Sequence, residues 1–148
     1  MSLTPTAYPS TQLIDPLTSP PIAKLTARVE HTWLLTEESW HALSLDLSNA
    51  TAWWASTCLL SDEDDTLTLV IDASMPRPLG LATTHLLTPS LWLSTVARIV
   101  RERPEHMDLK HWYALRVALI APDWLERLDG VHLDLILQLA LFGELRYV

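Results

Sequence analysis

A chain of 148 residues, 49% hydrophobic and 19% charged, has material for one ordinary domain with a core, which excludes a chain disordered along its whole body. A net charge of −8, with only ten Lys and Arg, argues against nucleic acid as a partner, because such binders need clustered cations to displace counterions from phosphates. Seven Trp against one Phe point to large contact surfaces with polar edges, in a core or at an interface.

Residues 1–21 carry five Pro among many Ser and Thr, so they are expected to form a flexible arm ahead of a single globular domain at 22–148. Ile22, Leu25, Val29 and Trp33 recur at helical spacing and favour a helix over 22–35, although several of these residues also tolerate a strand. Thr36 then reads as a cap or turn. Leu43, Leu45 and Leu47 alternate with Ala42, Ser44 and Asp46, which predicts a strand over 40–47. The stretch 51–73 reads as a β-hairpin. One arm holds Trp53, Trp54 and Cys58, the other places Leu67, Leu69 and Ile71 on one face, and the acidic turn Asp62-Glu63-Asp64-Asp65 lies between them. The fold class is therefore α+β, with a three-stranded antiparallel meander at about 40–73.

The remaining elements are helical. Residues 75–89, broken by Pro76, Pro78, Gly80 and Pro89, are expected to form a loop or crossover. Thr88-Pro89 starts a helix over 89–103, in which Arg98, Arg101 and Arg103 suit the negative end of the dipole and Pro104 stops the run. Asp108 caps a helix over 108–120 with Trp112, Leu115, Arg116 and Leu119 on its stripe, a strand over 113–121 being the rival reading. A short turn follows at 123–128. Residues 131–147 fit helix and strand periodicities equally, but their length and paucity of β-branched residues favour a helix that is buried on nearly every side.

No catalytic motif stands out, and neither a cofactor nor a metal is expected. Glu105, His106, Asp108 and His111 form the tightest group of metal-ligating types, but the two His lie five apart, which splays them on a helix. Asp62, Glu63, Asp64 and Asp65 lack the Gly of a calcium loop. Asp72, Ser74 and His85 contain the residue types of a hydrolase triad without its Gly-flanked elbow. Cys58 is alone and reads as a buried structural thiol. With no basic-then-apolar leader and no apolar run long enough to span a bilayer, a reducing, cytoplasmic setting and no membrane partner are expected.

The order helix, three antiparallel strands, Pro-containing link and long helix resembles the class I chaperones of bacterial type III secretion. The stretches that carry the likeness are Ser61-Asp62-Glu63-Asp64-Asp65, residues 66–73, Met75-Pro76-Arg77-Pro78 and residues 89–103. It is a likeness of pattern over about 22–103. The Pro-rich arm is extra, the link over 75–89 is longer, and of the two further C-terminal strands at most one can be found. The resemblance implies a homodimer, built here on Leu91, Trp92, Thr95, Val96 and Ile99, that holds an extended segment of a secreted effector. Trp40, Trp53 and Trp54 on the sheet are the candidate partner-binding residues. The alternative is an immunity or inhibitor protein whose acidic surface blocks a basic toxin or nucleic-acid enzyme, and a small enzyme with an unrecognised pocket comes third.

Overall fold

The computed structural model of the chain describes residues 31–77 and 80–147, with the backbone alone at Thr57 and Cys58. The expected arm at 1–21, most of the helix expected over 22–35 and the burial of the Cys58 thiol lie outside the described residues. The part of that helix that is described, from His31 to Leu35, is irregular.

Helical structure begins at Thr36. Its hydroxyl accepts the backbone N–H of Ser39, the Ser39 hydroxyl answers the Thr36 N–H, and Glu37 and Glu38 sit in the positive first turn, so α1 runs Glu37–Ala50. The strand expected over 40–47 is therefore a helix. The period that matters is Trp40, Leu43, Ser44 and Leu47, all buried, while Leu45 faces solvent at 70% exposure. The alternating leucines mimicked a strand because every second Leu of a Leu-rich helix can equally be counted at period 2. Leu itself favours the helix once a cap starts it.

After α1 the chain turns through Thr51, whose hydroxyl and N–H both bond to Leu47 O, and enters the sheet. Strand β1 is Ala55–Leu60, β2 is Leu67–Ile71 and β3 is Thr84–Leu87, paired antiparallel in the order β1-β2-β3. The meander has the expected three strands with one exchanged: β3, inside the expected loop over 75–89, replaces 40–47. Residues Leu67, Leu69 and Ile71 alternate into the core as their period requires. β3 was missed because it is four residues long and hemmed in by Pro and Gly. Its pairing with β2, Leu67 opposite Leu87 and Leu69 opposite His85, is a long-range contact that no local pattern encodes.

Three helices match their caps closely. α2, Pro89–Arg101, is capped by Thr88 with Pro at its first turn and Arg98 and Arg101 in its last. α3, Leu109–Leu119, is capped by Asp108, so the rival strand over 113–121 does not form. After the one-turn α4, Trp124–Arg127, α5 runs Gly130–Phe142 and ends where Gly143 adopts φ 74°, a left-handed conformation that costs glycine least. α5 was expected to reach 147; Gly143 ends it after Phe142, and the chain then folds back to bury Tyr147. α5 is the hub, in contact with α1, α2 and β3, and its Leu133, Ile136, Leu137, Gln138 and Leu139 are buried.

The stripe assigned to a dimer interface is used inside one chain. Trp92, Thr95, Val96 and Ile99 are at most 2% exposed, and Leu91 is half-buried, because α2 packs against α5 and α3. These side chains cannot meet a second copy without opening the core. Trp92→Ala is expected to lower the unfolding free energy by about 3–5 kcal/mol through the cavity it leaves, read as a fall in the denaturant midpoint. A variant of wild-type stability would contradict the placement of α2.

Candidate functional site

The three Trp expected to receive a partner have different environments. Trp40 is 2% exposed, and its indole N–H donates to the carbonyl of Asp65 at 2.8 Å, tying α1 to the β1–β2 turn. Trp54 is fully buried and Trp53 is 48% exposed. Both precede β1 rather than lying in it, because the turn from Thr51 bonds back to Trp54 and Ala55. Asp134 of α5 accepts both indole N–H groups, Oδ1 from Trp54 at 2.7 Å and Oδ2 from Trp53 at 3.1 Å. Gln138, one turn further and completely buried, donates to Asp134 Oδ1 and to Tyr147 O, and its Oε1 accepts the backbone N–H groups of Arg146 and Tyr147. Tyr147 stacks on Trp54 and meets Trp53 edge-on. This is a clasp that holds the C-terminal chain, so Trp40 and Trp54 serve the fold and of the three only Trp53 keeps a free surface.

What is exposed and apolar lies elsewhere. The register sets Leu59, Thr68 and Leu86 in one row across the three strands, on the face opposite buried Leu67 and Leu69. Leu59 is 64% and Leu86 57% exposed. The same end of the sheet carries the acidic turn. Asp62, Glu63 and Asp64 are exposed there, and the backbone N–H of Thr66 holds the Asp64 carboxyl below its usual range. An apolar row beside fixed negative charge suits a segment that is apolar at alternate positions and basic at one end. A second exposed stripe, Leu109, Tyr113 and Val117, recurs every four residues along α3.

Among the described residues one group could hold a metal ion: Glu37 and His41 on one face of α1, and Asp65 at the end of the acidic turn. Sequence reading missed it because the strand expected over 40–47 separates His41 from Glu37, which falls in the turn before it, and because Asp65 is brought close only by the fold. The Glu-x-x-x-His spacing is a visible signal once the helix is known. The groups that sequence reading did single out have other roles. Asp108 caps α3 and binds the His111 ring at 2.6 Å, while His106 reaches only Glu105, at 3.9 Å on the surface. Ser74 donates directly to Asp72 at 2.7 Å, and His85 Nε2 lies against Ala82 O, so no relay forms. Arg98 and Arg103 line a groove of about 250 Å³ together with Glu102 and Glu105, a mixed rim that gives no anion site. No helix among the described residues is long and apolar enough to cross a membrane.

No family model, curated protein or solved structure matches this chain.

Gln138 generates a direct test of the clasp. Gln138→Leu keeps the size of the side chain but leaves the buried N–H of Tyr147 and the part-buried N–H of Arg146 without an acceptor, which should cost about 2–3 kcal/mol. Hydrogen exchange at Arg146 and Tyr147 should speed up before that of the sheet. Unchanged exchange at both amides would show that the chain end is held by something else.

Proposed function

We propose that this protein is an acidic protein-binding module that takes an extended segment of a partner along edge strand β1. Apolar side chains of that segment lie beside Leu59, at the edge of the exposed row that continues to Thr68 and Leu86, and its basic end meets the acidic turn. The observation that carries the reading is the row Leu59–Thr68–Leu86, exposed beside Asp62, Glu63 and Asp64. Edge strands bind extended chains through main-chain hydrogen bonds, with alternate side chains supplying selectivity. Charge complementarity adds rate and selectivity more than affinity.

The element order α1-β1-β2-β3-α2 supports a likeness to the type III secretion chaperones, whose cargo is an extended segment of a secreted effector. Helices α3 and α4, standing where that family carries two more strands, count against it, as does the burial of the α2 stripe. The proposal therefore rests on the sheet and not on the family. It includes a reducing, cytoplasmic setting, for which the support is the single Cys58. It also moves self-association, if the chain pairs, from α2 to the exposed stripe of α3.

The test uses a synthetic twelve-residue peptide of alternating Val and Ser with two Lys at one end, and a twin with Glu in place of Lys, titrated into the labelled protein. The expected result is perturbation of the amides of β1 more than those of β3, at least about tenfold weaker binding of the Glu twin, corresponding to roughly 1.4 kcal/mol, and weakened binding in Leu59→Ser, with Leu86→Ser as the second half of the double substitution at the far edge of the row. Binding that ignores both the charge swap and the double substitution, or no binding, would overturn the reading.

A further inference from the structure

We infer that Glu37, His41 and Asp65 form a binding site for a divalent transition ion, of which zinc is the clearest case. The inference is independent of the docking proposal. Each of the three residues offers one donor atom, and all three atoms lie within 4.8 Å of one another. His41 Nε2 is 3.6 Å from Asp65 Oδ1, beyond hydrogen-bond distance. Ligands about 2.1 Å from a tetrahedral zinc stand about 3.4 Å apart, so this pair already has the separation of two ligands on one ion. Glu37 is exposed in the first turn of α1, and rotation of its side chain supplies the remaining contraction.

Two further observations point to a ligand. The His41 ring is 43% exposed, yet its Nε2 is turned inward, shut off from solvent, and makes no hydrogen bond among the described residues. An enclosed imidazole nitrogen facing two carboxylates without a hydrogen bond is either half of a loose ion pair or a metal ligand. The frame around it is also fixed. Glu37 and His41 project from one face of α1, whose start is locked by the capping box at Thr36. Asp65 holds φ 57°, which Asp tolerates better than most residues, and its carbonyl is pinned by the Trp40 indole, the neighbour of His41. The turn of helix that carries one ligand therefore also positions another.

The donor set selects the ion. One imidazole with two carboxylates suits zinc and its neighbours, whereas calcium takes six to eight oxygens. Three protein ligands leave the fourth tetrahedral position to water, the arrangement of open zinc centres.

Isothermal titration of the full chain with zinc chloride tests the site, with calcium and magnesium chloride as comparators. The expected result is one zinc site per chain, a higher melting temperature with zinc because the ion binds only the folded state, and little response to calcium or magnesium. His41→Ala and Asp65→Asn should each weaken zinc by more than about 100-fold, since removing even an outer partner of a ligand costs 10–100-fold. Glu37→Gln should weaken it by at least about tenfold. Asn tolerates the left-handed backbone at position 65 and keeps the carbonyl that Trp40 holds, so Asp65→Asn remains decisive if His41→Ala fails to fold. No zinc site in the wild-type chain, zinc binding unchanged in Asp65→Asn, or tighter binding of calcium than zinc would each overturn the inference. The second outcome would mean that adventitious zinc sits on other histidines.

Discussion

The constraint on which the structure depends is Asp134 and Gln138, two polar residues one turn apart on a helix that is apolar beyond its first turn apart from them. α5 touches both the helical layer and the sheet, and a helix so placed could rotate among several similar packings. Asp134 and Gln138 remove that freedom. Each has fixed partners, and the completely buried Gln138 uses both lone pairs and donates twice. A rotation of α5 would strand those groups without hydrogen bonds at a cost that no alternative apolar contact offsets.

The same device explains the unusual Trp content. Five of the seven indoles donate to another part of the chain: Trp33 to Leu119 O, Trp40 to Asp65 O, Trp112 to Ile99 O, and Trp53 and Trp54 to Asp134. Three of these acceptors are backbone carbonyls at helix ends or in a turn, groups that have no partner within their own element. Arg116, lying over the Trp112 ring, does the same for Val100 O. Indoles thus act as staples between elements, combining a large apolar body with one directed donor. Because α5 and α1 are stapled to one side of the sheet, the row Leu59–Thr68–Leu86 stays open on the other, and Trp92, Thr95, Val96 and Ile99 of α2 are taken up inside the chain's own core.

Much of this was legible in residues 88–142, and little in 36–54 or in the short strand β3. Caps are local chemistry, and Thr88-Pro89 and Asp108 announce their helices before any packing is known, whereas Asp129, which caps α5, was not read as a cap. The apolar alternation of Leu67, Leu69 and Ile71 is equally local. Residues 40–47 misled because evenly spaced leucines satisfy two periods at once, and the box that decides between them uses Ser39 in place of the usual Glu or Gln. That one misreading hid both the Glu37–His41 pair and the burial of Trp40. The roles of Trp53 and Trp54 were beyond local reading altogether, since their acceptor lies about eighty residues away.

A double-mutant cycle on Trp54→Phe and Asp134→Asn tests the stapling account most directly. Phe keeps the ring body without the N–H, and Asn keeps the shape while losing one acceptor oxygen. If the indole–carboxylate bond locks α5 to the start of β1, the two effects on unfolding free energy will be strongly non-additive, with a coupling of about 1–2 kcal/mol. Additive losses, with a coupling within about 0.3 kcal/mol of zero, would contradict the account, leaving aromatic packing alone to hold α5 in place.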